Sequence, residues 1–362
     1  MTVIESVHAE HDARFVERGG RRVVDHYGRP ARVHRAVRKV VGVIEWGVGV
    51  LVVAGEDRHA FVDDAVSNRV PETEGEGCYA LLLDPDGSIR TDLYVFNAGE
   101  RLLLFTPPGE AAPLAEDWRG KVFIQDVTID RATEDFATFG VHGPKATEKV
   151  ASVCTASAPA DQLTFERGSM GEAGVTVIRT DALAGERGFL VVCGVDDAAD
   201  VYDTLENRGL NAAPFGYRTW EMLTLEAGTP LFETELAGRI PNALGLRNAV
   251  DFEKGCFVGQ EIVSRIENRG SPPGRLVGLS CTELPAAGDA VQDGDDSLGE
   301  ITRAVESPAR DGPIAFAVLD GTGPPAETPV SIESTDGPVD AEIEPLPFVE
   351  GSERSARIPD YD

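Results

Sequence analysis

Runs of apolar residues separated by turn-forming residues predict several short strands in the first third of the chain. Residues 48–54 are almost entirely apolar, which predicts a buried strand. Three more runs, at 78–83, 88–96 and 101–106, are separated by the turn sequence D-P-D-G at 84–87 and by a second short turn. The short connections predict that these three strands form an antiparallel meander.

Helical and extended patterns alternate through the middle of the chain. Apolar residues at helical spacing predict helices over 145–153, 198–207 and 219–227, with two shorter ones after residue 57 and from about residue 260. The strands predicted here are 175–178 and 188–193, and the segment predicted to form a loop is 158–171.

The pattern changes from residue 276 onward, where short β-like runs alternate with Gly, Pro and Asp. The runs are 276–280, 314–318 and 330–332, and no further helix is predicted. We expect a separate all-β barrel or sandwich in this region. The tail after Pro345 is expected to be loosely held. The overall class is therefore α+β with a C-terminal β domain.

Length and charge narrow the class of protein. The 362 residues are enough for two or three domains, and the formal net charge is -29. Only five of the 33 basic residues are lysines, and the acidic residues are spread along the chain. This composition suits a halophilic protein, because molar salt screens the self-repulsion of its acidic residues. The alternative is an acidic protein from a cell of ordinary salt concentration, in which the acidic residues form a face that binds a partner. Non-specific nucleic-acid binding is disfavoured, because it needs clustered Lys and Arg.

The sequence also bears on location and redox state. No apolar run is long enough to span a membrane and the first 14 residues do not resemble a signal peptide, so we expect a cytoplasmic protein that does not bind membranes. Five widely spaced cysteines without a C-x-x-C pair predict neither a disulfide framework nor a metal site. Each cysteine is expected to be buried and inert, with one exception.

The exception is Cys256, in the sequence K-G-C-F-V-G-Q-E at residues 254–261. Cys256 lies just before the predicted helix and two residues from Lys254. Both features favour a reactive thiolate. The alternative is a structural loop with a small buried cysteine. A histidine could reach Cys256 only through the fold, because none follows His142.

This octapeptide resembles the K-G-C-[YF]-x-G-Q-E signature of YgfZ-type proteins, which include folate-dependent factors for iron–sulfur protein maturation. Residues 225–232, L-E-A-G-T-P-L-F, resemble the R-L-E-A-G-x-x-L-[YF] element of glycine-cleavage T-proteins. Weaker matches at 52–61, 87–93, 141–146 and 185–189 follow in the expected order. The chain is therefore identified as a member of the YgfZ/GcvT (aminomethyltransferase-like) family.

The resemblance implies a three-domain GcvT-like ring around a folate channel, with a C-terminal antiparallel β barrel. Residues 1–50 and 140–270 would form a discontinuous first domain that binds folate. Residues 51–139 would form an α/β insert domain with the meander, and 271–350 the barrel, followed by a tail at 351–362.

Asp92 is the candidate catalytic acid that the resemblance implies. In T-proteins the turn at 87–93 carries two acids, and one contacts the reacting nitrogen end of the folate. This chain has Thr91 in place of the first acid. Asp92 shares a strand face with Arg90 and Tyr94, where a carboxylate could stabilise ammonium charge or shuttle a proton. The alternative is a solvated aspartate, and the missing acid weakens the case for full aminomethyl transfer.

Two further residues are implied to bind the pterin ring. Glu186 is the acid of the G-E-x-G element, and a carboxylate can accept two hydrogen bonds from a pterin edge. The alternative is an exposed turn residue, because the preceding element is imperfect, with one extra residue and no tyrosine. Trp220 replaces an arginine that holds the pterin in T-proteins and could stack on the ring instead. A core tryptophan is the alternative.

The signature supplies the remaining candidates. Lys254 could meet the glutamate tail of folate or tune Cys256, and Gln260 is placed with it among the cofactor-binding residues. Cys256 is the second catalytic candidate, for iron or sulfur chemistry. Glu226 is expected to form a helix-end salt bridge, with Arg247 or Arg265 as the expected partner.

Three functions follow from these expectations. The first is a tetrahydrofolate-binding factor that supports maturation or repair of iron–sulfur client proteins. The second is a tetrahydrofolate-dependent aminomethyltransferase, either the glycine-cleavage T-protein with its lipoyl carrier protein or a related amine demethylase. The third is an interaction protein that has kept the fold and lost the ligand.

Overall fold

The structure is a computed structural model, and it describes residues 2–335 and 337–361. The helices are α1 (Glu5–Glu10), α2 (Pro30–Lys39), α3 (Arg58–Ala65), α4 (Ala111–Arg119), α5 (Ala146–Val153), α6 (Ala198–Asn207), α7 (Tyr217–Glu226) and α8 (Gln260–Arg269). Strands of the first half are β1 (Arg14–Arg18), β2 (Arg21–His26), β3 (Gly42–Glu45), β4 (Gly49–Ala54), β5 (Gly77–Leu83), β6 (Ile89–Asn97), β7 (Arg101–Thr106), β8 (Thr128–Arg131) and β9 (Phe136–His142). Strands of the second half are β10 (Phe165–Met170), β11 (Ala173–Arg179), β12 (Gly188–Gly194), β13 (Ala213–Pro214), β14 (Gly274–Cys281), β15 (Ala290–Asp293), β16 (Asp296–Ser307), β17 (Gly312–Asp320), β18 (Pro329–Ser334) and β19 (Gly337–Glu344).

The predicted meander forms part of a five-stranded sheet with the order β5-β6-β7-β4-β8. Side chains alternate between its two faces, as strand geometry requires. One face, with Ala80, Leu93 and Leu104, packs against the helices α3 and α4, and the buried Trp118 of α4 lies in the same apolar cluster. The other face carries aromatic and polar side chains and points toward the rest of the molecule. This face is the one that reaches the candidate site.

A second sheet has six strands in the order β10-β11-β12-β9-β3-β13. Its outer face buries Val141, Val177 and Val191 in the cluster that includes side chains of α5 and α6. Its inner face places Leu190 in one apolar cluster with Phe96 of the five-stranded sheet. The segment 158–171, expected to be a loop, contains the strand β10, so that expectation was wrong. Pairing with β11 stabilises β10 despite its weak pattern, because a ladder supplies its backbone hydrogen bonds.

The C-terminal strands close into a barrel with the order β14-β17-β16-β15-β18-β19, all antiparallel. Inward-facing residues such as Leu279, Ala317 and Ile332 form its core. The three predicted β runs lie within β14, β17 and β18, and no helix follows α8 in the described residues. The barrel predicted from the sequence is therefore confirmed, and the fold combines mixed α/β sheets with a closed antiparallel barrel.

A buried ionic cluster joins the helices α2 and α7 to the barrel. The Glu226 carboxylate accepts hydrogen bonds from His34 Nε2 at 2.7 Å, Arg38 Nη2 at 2.8 Å and Ser307 Oγ at 2.5 Å. Burial by itself would raise the pKa of Glu226, but these partners hold it below its usual value. The expected pairing with Arg247 or Arg265 was wrong, because residues distant in sequence supply the cation.

The tail after Pro345 is held along most of its length, which corrects the expectation that it would be loose. Ser352 donates to Glu186, Glu353 accepts from the Arg179 guanidinium, and Ser355 bonds Thr229. The Tyr361 hydroxyl accepts from the backbone of Leu276 in the barrel. A polar terminal segment is usually predicted to be mobile, but these contacts hold the tail against several parts of the fold.

Candidate functional site

A cavity of about 1080 Å³, including open solvent at its mouth, lies between the two sheets and the barrel. Much of the wall is aromatic, from residues contributed by several elements: Trp46, Tyr94, Phe96, Phe105, Tyr217 and Trp220. Apolar side chains, among them Leu183 and Leu190, cover much of the remainder. The cavity can therefore receive a flat ring system.

Asp92 lines this cavity from the strand β6 and is 4% exposed. The register of β5 and β6 pairs Tyr79 with Tyr94, which puts Asp92 diagonally across from Tyr79 on the same face. The Tyr79 hydroxyl donates to Asp92 Oδ2 at 3.0 Å. Among the described residues, Asp92 Oδ1 has no hydrogen-bond partner although it is buried. A buried oxygen without a partner is costly, which marks it as a contact point for a ligand.

The guanidinium of Arg357, from the C-terminal tail, holds the other Asp92 oxygen. Arg357 Nη1 donates to Asp92 Oδ2 at 2.8 Å and Nη2 donates to the Tyr94 hydroxyl at 2.6 Å. The guanidinium carbon lies 3.8 Å from the ring centre of Tyr79, so a cation–π contact fixes its plane. Burial raises the pKa of Tyr79 and of Tyr94 well above 10, so both hydroxyls stay protonated. The carboxylate of Asp92 is thereby fixed in orientation.

A second carboxylate, Asp181, reaches the same cluster from the segment between β11 and β12. Both of its oxygens accept from the Tyr94 hydroxyl, at 2.8 and 2.9 Å, and Oδ2 lies 3.7 Å from Arg357 Nε. Burial raises the pKa of Asp181 above its usual range, although Arg357 and Tyr94 oppose the shift. Asp181 and its neighbour Thr180 both line the cavity, and the Thr180 hydroxyl has no partner in the described part of the chain.

Trp220 forms part of the aromatic wall. Its ring lies edge-on to Trp46, with centroids 5.3 Å apart, and 5.0 Å from the ring of His142 behind it. Burial, with a smaller effect of the Arg179 charge, lowers the pKa of His142 to about 3. Neither ring nitrogen of His142 has a partner among the described residues. A neutral imidazole therefore packs behind the two tryptophans.

Charged pairs lie at the rim and at the barrel side of the cavity. Arg18 pairs with Glu221 and with Glu233, and its guanidinium stacks on Tyr217 at 4.7 Å. From the barrel, Arg303 pairs with the buried Glu235 at 3.3 Å. Among the described lining residues there are four carboxylates and three arginines, so the cavity is formally anionic by one charge.

Glu186, the expected pterin carboxylate, lies outside this wall. It is 3% exposed, and its oxygens accept from Arg38 Nη1 at 3.1 Å and from Ser352 Oγ at 2.5 Å. Glu186 does not appear among the described residues that line the cavity. In the structure, Glu186 belongs to the ionic cluster that fastens the tail.

The residues of the octapeptide 254–261 also lie away from the cavity lining. The Lys254 ammonium donates to the backbone carbonyls of Asp63, Val66 and Asn68 at the end of α3 and lies 3.1 Å from the Asp63 carboxylate. The Gln260 side chain donates to the Lys254 carbonyl at 3.2 Å.

Close packing against the D-P-D-G turn explains Gly259 in this octapeptide. A Cβ on Gly259, where φ is +79°, would lie 2.6 Å from the Asp84 carbonyl oxygen. Lys254 and Gly259 therefore fix this segment to α3 and to the turn, while the Cys256 side chain is exposed.

The structure thus brings together two of the six residues expected from the sequence, Asp92 and Trp220, in one described cavity. It places Glu186, Lys254, Gln260 and Cys256 elsewhere. Sequence reasoning missed six charged residues of the lining: Arg18, Asp181, Glu221, Glu233, Arg303 and Arg357. Asp181 carried a weak indication, since it lies in the imperfect element before Glu186, whereas nothing in the sequence distinguished Arg357 from its neighbours.

Residues 4–254 match the family described as the GCVT N-terminal domain, and residues 275–350 match the glycine cleavage T-protein C-terminal barrel domain. A protein of Bacillus cereus (strain B4264) named aminomethyltransferase is 26% identical, and the alignment covers 97% of this chain and 98% of the relative. An aminomethyltransferase of Bacillus cytotoxicus is 25% identical with the same coverage.

The fold has a counterpart among solved structures. The glycine cleavage system aminomethyltransferase T from Bartonella henselae superposes with a TM-score of 0.88 at 21% identity, covering 97% of this chain and 98% of that one. This similarity shows that the fold is GcvT-like. None of the described helices has the length and hydropathy needed to cross a membrane.

Proposed function

The chain belongs to the GCVT family, and from that premise we propose that it binds tetrahydrofolate in the central cavity and transfers a one-carbon unit at Asp92. The observation that carries the proposal is the Asp92 carboxylate, buried in the cavity wall with one oxygen fixed by Arg357 and the other without a partner among the described residues. A carboxylate in that state is prepared to meet a nitrogen that carries charge or a proton.

The aromatic and apolar wall supports tetrahydrofolate as the cofactor. Trp220, in the position where T-proteins have an arginine, offers a ring face at which a pterin could stack. Asp92, Asp181 and Arg357 line the cavity as one cluster joined by ion pairs. Glu186 is already engaged by Arg38 and Ser352, so we propose that pterin binding does not depend on it.

The chain's own residues define what the site does in the reaction. Tetrahydrofolate, when bound, supplies the nitrogens that exchange the one-carbon unit. Asp92 accepts a proton from a reacting nitrogen or stabilises its positive charge through Oδ1. Arg357 and Tyr79 hold Oδ2, so Oδ1 stays directed at the cavity. The aromatic wall excludes water, which strengthens the charge interaction.

The names of the relatives support an aminomethyl group as the transferred unit. Proteins similar over almost the whole chain are named aminomethyltransferase, and the similar solved structure is from the glycine cleavage system. We therefore propose a lipoyl carrier protein as the partner, with a related amine as the alternative donor. In the reverse direction, methylenetetrahydrofolate, ammonia and a dithiol would give tetrahydrofolate and an S-aminomethyl thiol.

An assay of this reverse reaction tests Asp92. Methylenetetrahydrofolate, ammonium and dihydrolipoamide are the substrates, and formation of tetrahydrofolate is followed in molar KCl. We expect Asp92→Asn to reduce the rate by about 10²–10⁴, the usual contribution of a positioned acid or base. Asp86→Asn is the matched control, because Asp86 is exposed in the turn that precedes the strand of Asp92, and it should not change the rate. Equal rates for the wild type and Asp92→Asn would refute the role of Asp92.

A second function is favoured by the exposure of Cys256. Among the described cysteines, Cys78 and Cys193 are buried and Cys154 and Cys281 are half-buried, whereas Cys256 is exposed. The resemblance of residues 254–261 to the YgfZ signature would make the chain a folate-dependent factor for iron–sulfur protein maturation. In cells lacking the protein, Cys256→Ala would then fail to restore iron–sulfur enzyme activity while Asp92→Asn succeeded. The opposite pattern would favour the transferase.

We propose that residues 1–50 with 140–270, 51–139 and 271–350 form three domains around the cavity. Its wall supports this division, because Trp46 and Trp220 come from the first, Asp92 from the second and Arg303 from the third.

A further inference from the structure

Two carboxylates contact Arg357, and only one of them, Asp92, lies on the strand β6. The turn before Asp92 has Thr91 where T-proteins resembling this chain have a second acid, so one acid remains on β6. In the structure, Asp181 reaches the same guanidinium from a different part of the chain. The second carboxylate of the site therefore comes from the segment that joins β11 to β12.

The geometry gives Asp181 a definite relation to Asp92. Arg357 donates through Nη1 to Asp92 at 2.8 Å, and its Nε lies 3.7 Å from Asp181. Tyr94 connects the two sides, since its hydroxyl accepts from Arg357 Nη2 and donates to Asp181. Asp181 is 1% exposed and Arg357 4%, so water does not screen these contacts.

The charge balance shows what Asp181 adds. Asp92 and Arg357 alone would form a neutral ion pair, and a neutral pair attracts a cationic nitrogen weakly. With Asp181 sharing the guanidinium, two carboxylates face one cation and the cluster carries a net negative charge. That charge is directed into the cavity at Asp92 Oδ1, the oxygen without a partner in the described residues.

We propose that Asp181 is a positioning residue for the reaction at Asp92: it shares Arg357 and orients Tyr94, so that Asp92 retains the negative charge that a cationic reaction centre requires. This inference rests on the proposed transfer of a one-carbon unit at Asp92. Asp181 acts through Arg357 and Tyr94 and need not touch the substrate.

The proposal implies a particular pH dependence. The titratable and charged groups that face Asp181 are Arg357, Tyr94 and Asp92. Burial raises the pKa of Asp181, so Asp181 takes up a proton at a higher pH than an ordinary aspartate. Protonation removes the net negative charge of the cluster. The rate should therefore fall as the pH decreases through that raised pKa. Once Asp181 is protonated, the charge of Arg357 is balanced by Asp92 alone and neutralises it.

Asp181→Asn tests the proposal, because asparagine keeps the shape and can still accept from Tyr94 but carries no charge. Wild type and variant are compared in tetrahydrofolate affinity, by calorimetry, and in the rate of the dihydrolipoamide-dependent reaction across pH. We expect the dissociation constant to change by less than about threefold and the maximal rate to fall by about tenfold or more, as expected for a lost charge at this range. The variant should also lose the acidic limb of the pH profile.

Two further variants complete the design. Asp181→Glu keeps the charge and should recover most of the rate, whereas Asp161→Asn, an exposed aspartate outside the described cavity lining, should behave as wild type. An Asp181→Asn enzyme with wild-type rate and an unchanged acidic limb would overturn the proposal. Equal losses in Asp181→Glu and Asp181→Asn would also overturn it, because shape alone would then matter. A wild type that neither binds tetrahydrofolate nor catalyses the reaction would instead refute the proposed function.

Discussion

Replacing Arg357 by Met should destabilise the protein, and by an amount that depends on pH. The substitution keeps most of the apolar length of the side chain but leaves Asp92 and Asp181, 4% and 1% exposed, without their cation. Removing one partner of a buried ion pair costs about 3–5 kcal/mol. With an unfolding entropy of about 2.1 cal/mol/K per residue, that loss lowers the melting temperature of this chain by about 4–7 °C.

The pH dependence follows from the two carboxylates that remain. Without the guanidinium, the folded variant binds a proton on this pair more readily than the unfolded chain does. A pKa raised in the folded state means stability that is present at low pH and lost as the pH rises through that pKa. The difference between wild type and Arg357→Met should therefore be full at about pH 8 and shrink as the pH approaches the ordinary aspartate value of about 3.9.

Thermal unfolding in molar KCl at a series of pH values measures this difference. Arg354→Met is the matched control, because Arg354 is an exposed arginine of the same tail, three residues away. Its melting temperature should follow that of wild type at every pH. If Arg357→Met melted together with Arg354→Met, or if its deficit did not change with pH, the assignment of Arg357 as the cation of this cluster would be refuted.

Two more stability predictions follow from buried groups outside the cluster. The unfolded chain protonates His142 at its ordinary pKa of about 6.5, whereas the folded chain keeps it neutral down to about 3, so wild-type stability is lost as the pH falls below about 6.5. The stability of His142→Phe relative to wild type should therefore rise by about 2 kcal/mol as the pH falls from about 7.5 to about 5. Thermal unfolding of the two proteins side by side measures this change, and a difference that stayed constant with pH would contradict the prediction. Lys254→Met should lower the free energy of unfolding by about 2–4 kcal/mol, because three backbone carbonyls at the end of α3 lose their donor. Cys256→Ala is the control: Cys256 is an exposed neighbour, so its replacement should change the free energy of unfolding by less than about 0.5 kcal/mol. Equal melting temperatures for these two variants would show that Lys254 has no such role.

Local elements could be predicted because their signals are local. The runs at 78–83, 88–96 and 101–106 match β5, β6 and β7 to within one residue at each end, and the helix expected over 198–207 is α6 (Ala198–Asn207). Each of these segments has a regular apolar period and a turn or cap at its end. The strand β10 was missed because it is rich in polar residues and glycine, and pairing with β11 is what stabilises it.

The site could be predicted only in part, for a physical reason. Asp92 and Trp220 lie in segments that resemble conserved elements of a family, so their place in the cavity was expected from the resemblance. Arg357 and Asp181 act through contacts that span 265 and 87 positions of the chain, to Asp92 and Tyr94 respectively. The pattern of apolar and polar residues along the chain carries no information about contacts between positions so far apart in sequence. Conversely, a local motif gave Lys254 and Gln260 a ligand role, whereas the structure engages both with backbone carbonyls.

Calorimetric titration of the wild-type chain with tetrahydrofolate, in molar KCl under reducing and anaerobic conditions, tests the central claim most directly. p-Aminobenzoylglutamate, which lacks the pterin ring, is the matched control ligand. The account predicts one saturable site with micromolar affinity, roughly −8 kcal/mol, and much weaker binding of the control. Absence of saturable binding up to millimolar tetrahydrofolate, or equal affinity for the two ligands, would contradict the claim that the cavity is a folate site.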